Sequence, residues 1–112
     1  MTTDNLVLAT LVSARALIKK PEQWTQRAWA RDAEHRVVGA YVTASCYCAG
    51  GALKLAARRI LGDSYAAEEA LLNCLPSPFT YFNVTRYNDD PLRTHAEVLA
   101  LFDEAIAKLQ TA

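Results

Sequence analysis

The stretch that most constrains the fold is Thr94-His95-Ala96-Glu97-Val98, which opens an amphipathic helix near the C-terminus. Thr94 and Glu97 have the T-x-x-E spacing of a capping box: the hydroxyl accepts from the N–H at Glu97, and the carboxylate accepts from the N–H of Thr94. Val98, Leu101, Phe102, Ala105, Ile106 and Leu109 recur at three- and four-residue steps. That is the stripe of a helix laid on a core. His95 shares a side with Leu99 and Phe102 and so stands at the rim of the stripe. Pro91 cannot extend a preceding helix, which makes Asn88 to Arg93 a tight connection.

Upstream, Asp4 or Asn5 can cap a first helix whose inward side holds Leu8, Leu11, Val12, Arg15 and Ile18, widened by Val7, Ala14 and Leu17. Pro21 ends it at or before Lys20. Pro21 to Trp24 reads as a connector with one helical turn, and Trp24 as a core plug. Ala28 to Val38 alternates as a short β-hairpin, which must pack on helices because one hairpin is marginal in water. Thr43 or Ser45 can cap a second long helix running to about Leu61, with Cys48, Ala52, Leu55 and Ala56 inward. Gly50-Gly51 costs that helix about 1 kcal/mol per glycine relative to alanine. Close approach of another backbone explains such a pair better than ligand access beside Cys48. Asp63 or Ser64 caps a third helix, ended by Pro76 and Pro78. Thr80 can cap a short fourth one holding Tyr81, Phe82, Val84 and Tyr87.

A chain of 112 residues is one domain, here 1–112. The fold expected is mainly α (α+β): a compact bundle of four to five helices with one short hairpin near residues 28–38. Twelve basic residues balance twelve acidic ones, so no global field favours nucleic acid. No apolar run reaches the length of a membrane span, and Met1 to Asn5 has no basic secretory segment. Three cysteines leave one without an intramolecular partner, which favours a reducing, cytoplasmic setting.

Three stretches carry a resemblance. They are Asn88-Asp89-Asp90-Pro91-Leu92-Arg93-Thr94-His95-Ala96-Glu97-Val98 with the helix after it, Cys46-Tyr47-Cys48-Ala49-Gly50-Gly51-Ala52-Leu53, and Trp24-Thr25 leading to Ala30-Arg31-Asp32. The chain resembles a small bacterial and phage family catalogued as a domain of unknown function. That resemblance implies a shared fold over roughly Ala14 to Ile106 and no activity.

One chemical arrangement competes with a structural reading. Cys48 near a helix start, His95, and Asn88 or Asp89 form the skeleton of a thiol hydrolase, with the helix dipole lowering the thiol pKa. The same residues are explained as a small core cysteine and a histidine bonded to its own loop. Nothing around Cys48 matches a protease motif, so the structural reading is favoured. A metal site from Cys46, Cys48, Cys74, His35 or His95 is disfavoured, because C-x-C in a helix points its sulfurs about 200° apart, and paired C-x-x-C knuckles are absent. Neither metal nor cofactor is expected. Arg31, Asp32 and Arg93 are candidate binding residues, set against an internal Arg93–Asp32 ion pair. Trp29, Tyr41, Tyr47, Tyr65, Tyr81 and Tyr87 are numerous enough that some are expected to be exposed, and an exposed patch would point to a protein partner or a homo-oligomer contact. The reading is therefore a cytosolic binding or regulatory module, with a small cysteine-dependent hydrolase as its alternative.

Overall fold

The computed structural model describes residues 3–75 and 83–111. In them five α-helices, α1 (Thr3–Leu17), α2 (Ala49–Ile60), α3 (Ser64–Leu72), α4 (Val84–Asp89) and α5 (His95–Thr111), accompany a three-stranded sheet. Its strands are β1 (Ala30–Arg31), β2 (Val37–Val38) and β3 (Cys46–Tyr47), in the order β2-β1-β3. The architecture is mainly α with a small β component, as its patterning predicts.

α5 starts as its capping box requires. The Glu97 N–H donates to Thr94 Oγ1 at 3.1 Å, and the Thr94 N–H donates to Glu97 Oε1 at 2.8 Å. Its buried face is Val98, Leu101, Phe102 and Ala105. α1 packs on α2, α3 and α5 through Val7, Leu11, Ala14 and Ile18. Two expectations for α1 are corrected. Asp4 and Asn5 lie inside its first turn rather than capping it. Val12 faces outward at 48% exposure, because the buried face runs through residues 7, 11, 14 and 18 and turns Val12 away from it.

The hairpin pairs Ala30 with Val38 and Arg31 with Val37, both antiparallel. A third strand, absent from the expected fold, pairs Ala30 with Tyr47 and Arg31 with Cys46. Residues 46 and 47 are thus extended, and α2 starts later than a Thr43 or Ser45 cap would place it. Its N-cap is Cys48, whose Sγ accepts from the Gly51 N–H at 3.2 Å. Sulfur takes the place usually held by a Ser or Asp oxygen. α2 ends at Leu61, which adopts the left-handed conformation at φ 55°. The Gly62 N–H then donates to Ala57 O at 2.8 Å.

α2 is the central helix, packed on α1, α3, α4 and β3, with all of Ala49 to Leu53 buried. The glycine pair is explained by backbone approach. A Cβ on Gly51 would fall 2.0 Å from the Trp29 carbonyl oxygen, and one on Gly50 would fall 2.8 Å from the Trp29 ring. Asp63 caps α3 by accepting from the N–H groups of Tyr65 and Ala66. Asn83 caps α4, accepting from Arg86 N–H at 2.9 Å. Thr80, the cap expected, lies with Pro76, Pro78, Tyr81 and Phe82 outside the described residues.

Candidate functional site

The residues singled out for chemistry fall first on a buried joint. Asn88 ends up fully buried on α4, and every hydrogen-bonding direction of its amide is used. Its Oδ1 accepts from the Trp24 indole N–H at 2.6 Å and from the Ala49 N–H at 3.0 Å. Its Nδ2 donates to the Thr25 carbonyl and to Asp89 Oδ1, both at 3.0 Å. One side chain thus ties the connector before β1, the first turn of α2 and the end of α4. The Asp89 Oδ1 also accepts from the N–H of Arg27, a residue at φ 64°. Gln26 Nε2 donates to the carbonyls of Asn88 and Asp90, each at 2.9 Å. These carbonyls close α4, where no further turn of helix supplies donors.

Cys48 lies beside this joint, 1% exposed. Burial raises its thiol to about 11, and the Gly51 N–H only partly opposes that. The helix start therefore caps itself with the sulfur without activating it, because desolvation of a thiolate outweighs the local dipole. His95 is engaged elsewhere. Its Nε2 shares a hydrogen bond with the Ile18 carbonyl at 2.6 Å, and its ring packs 6.0 Å from that of Trp24. It thus supplies a partner at the end of α1, a long-range bond in place of the expected bond to its own loop.

The candidate binding residues are also committed internally. Arg31 donates to Thr25 Oγ1, His35 O and Gln26 O. Asp32 holds the β1–β2 turn, accepting from the N–H groups of Glu34 and Arg36 and pairing with the Arg36 guanidinium at 3.0 Å. Arg93 does not reach Asp32. Its guanidinium lies 3.7 Å from the Tyr87 ring centroid, donates to the Tyr87 carbonyl, and pairs with Asp90 and Glu97. Arg93 lies in the turn between α4 and α5, and its near neighbours in sequence, Asp90 and Glu97, take the pairing expected of the distant Asp32.

Open surface gathers around Trp29 instead. Its ring rests on Gly50, the small residue that lets it lie against α2. A cleft of about 320 Å³ separates it from Tyr65, with Leu53, Lys54, Glu68, Asn83 and Thr85 along the walls. A second, more open hollow is lined by Trp29 with Arg27, Val37, Thr85 and Asp89. Trp29, Val37, Tyr41, Val42 and Tyr65 are all exposed. The Lys54 ammonium sits 5.1 Å from the Trp29 ring centroid and 6.0 Å from that of Tyr41. Arg58, one turn further along α2, places its guanidinium carbon 5.2 Å from the Tyr41 ring. Among the described residues no group of three or more His, Cys, Asp or Glu side chains could hold a metal ion. No helix among them is long and apolar enough to cross a membrane.

The family model described as a family of unknown function (DUF6197) matches residues 2–108. The chain belongs to that family. No curated protein and no solved structure matches it. The family's description assigns no reaction, so what this member does has to be read from its own surface.

Sequence reasoning missed the Trp29 cleft as a place. The exposed-aromatic expectation and the reading of Gly50-Gly51 as a close approach were its traces. Of the two, Gly50-Gly51 is the sharper: two helix-destabilising residues mark where a bulky neighbour crosses α2. Which neighbour it is depends on β1 leading from Trp29 across to Cys48, a pairing over a long loop that local patterning does not encode.

Proposed function

We propose that this chain is a cytosolic binding module that acts by docking a protein partner on the face around Trp29. The observation that carries the reading is the clustering of Trp29, Tyr41 and Tyr65 at the surface beside an open cleft, while Tyr47, Tyr87 and Phe102 are buried. Aromatic residues with a positioned cation are the side chains most enriched at interface hot spots. Free thiols at Cys46, Cys48 and Cys74 support a reducing compartment. The cysteine-hydrolase alternative draws no support from a sealed thiol raised to about 11.

Site-specific photocrosslinking tests this reading. A benzophenone amino acid at Tyr65, which is 80% exposed, should give a discrete crosslinked protein in the native host. The same probe at Leu92, exposed away from the cleft, should not. Equal crosslinking from both positions, or none from Tyr65, overturns the docking face.

A further inference from the structure

We infer that the partner docked at this face is an acidic segment of another protein chain, placing carboxylates on Lys54 and Arg58 and an apolar side chain in the cleft between Trp29 and Tyr65. The inference rests on the reading of that face as a docking surface and names what would occupy it. Lys54 and Arg58 lie four apart on α2 and share its outer side. Among the described residues, neither has a carboxylate within ion-pair distance. The ion pairs among the described residues use Arg15, Arg36 and Arg93 instead. In a chain of zero formal charge, Lys54 is held against Trp29 in the cleft wall, and Arg58 against Tyr41 one turn further along α2. Such stacking positions a cation and strips part of its hydration, which raises what an arriving carboxylate gains.

The cleft floor and walls select the second element. The Trp29 and Tyr65 rings offer apolar surface over the buried Leu53, between the polar side chains of Lys54, Ser64, Glu68, Asn83 and Thr85. A volume of about 320 Å³ is at the low end for small-molecule sites, roughly 300–1,000 Å³, and accommodates one anchoring side chain. The acidic wall residue, Glu68, directs Oε2 to the Val84 N–H at 3.4 Å. A second copy is a poor occupant: a two-fold contact through this face brings Lys54 and Arg58 toward their own copies, and like charges facing each other oppose docking. Nucleic acid is also poorer, since two unpaired cations neutralise few phosphates beside the 6–10 contacts (roughly) of a salt-sensitive binder.

Selection of displayed random peptides on the intact chain tests the inference. Enriched peptides should carry two or more Asp or Glu residues around one aromatic or large aliphatic residue. A synthetic copy of the winner should bind about tenfold or more weakly to the Lys54→Glu/Arg58→Glu chain, and weaken steeply with salt. Tyr65→Ser should also weaken it. Circular dichroism first confirms that both variants are folded. A neutral or basic consensus that is still lost in Tyr65→Ser overturns the acidic partner and leaves the docking face standing. Peptides indifferent to Tyr65→Ser, or no enrichment at all, overturn both. An oligothymidylate that binds the wild-type chain and displaces the peptide overturns the acidic partner in favour of nucleic acid.

Discussion

The Trp24 indole N–H donates to Asn88 Oδ1 at 2.6 Å across 64 residues of chain. The same oxygen accepts the Ala49 N–H, so removing the amide strands two donors at a buried joint. Each unsatisfied buried group costs about 1–3 kcal/mol. Asn88→Ala is therefore expected to lower stability by about 3 kcal/mol or more in chemical denaturation. Trp24→Phe removes one of these bonds and should cost less. The two changes should couple by about 0.5–3 kcal/mol in a double-mutant cycle; strict additivity would show that the bond carries no stability.

Cys48 should resist iodoacetamide in the native protein and react only on unfolding, read by mass spectrometry after a short exposure. The raised thiol also gives an alkaline signature. Below 9.0 the thiol is protonated in folded and unfolded chains alike, and its contribution is whole. Between 9.0 and about 11 the unfolded chain releases the proton while the folded one keeps it, so stability falls with rising pH. Cys48→Ser keeps a capping acceptor without a thiol to titrate, and its stability should decline less over that interval. Parallel pH profiles for the two proteins would remove burial as the cause.

Gly51→Ala replaces a poor helix former with the best one, a gain of about 1 kcal/mol in an unencumbered helix. Here its Cβ would sit 2.0 Å from the Trp29 carbonyl oxygen. The expected result is a large loss of stability and displacement of β1 from α2. Gly39→Ala meets nothing within 4 Å, so its midpoint should shift by no more than about 0.5 kcal/mol in either direction. Similar midpoints for the two variants would contradict the crossing of Trp29 over α2.

Thr94→Ala should destabilise by about 1 kcal/mol through loss of the cap at the start of α5. Glu97, held below its ordinary carboxylate value chiefly by the Thr94 N–H, supplies the other half of the box. Its contribution is present at neutral pH and disappears as pH falls through the lowered value. The acid limb of the stability profile should therefore flatten in Glu97→Gln relative to the wild type.

Phe102 is fully buried on α5, and Phe102→Ala should cost about 3–5 kcal/mol. For a domain of this size that is a large share of total stability. A cooperative thermal transition close to that of the wild type would mean that α5 packs through another face.

Sequence alone determined what short-range chemistry controls. The α5 cap and stripe, an α3 cap at Asp63 or Ser64, the end of α1 before Pro21 and a hairpin within Ala28 to Val38 all depend on residues within a few positions of one another. So does the glycine pair as a sign of close approach, since only a missing Cβ admits a carbonyl there. Tertiary structure decided what depends on distant partners. β3 escaped notice because Cys46, Tyr47 and Cys48 are buried in succession, and a strand covered on both sides shows no alternation. Asn88 read as a turn residue until Trp24, Thr25 and Ala49 converged on it. Cys48 stands where a helix start would lower a thiol pKa, yet the packing that seals it raises that value to about 11. The Trp29 face is likewise decided by packing: whether an aromatic residue is core or surface depends on which neighbours cover it, and those neighbours come from across the chain.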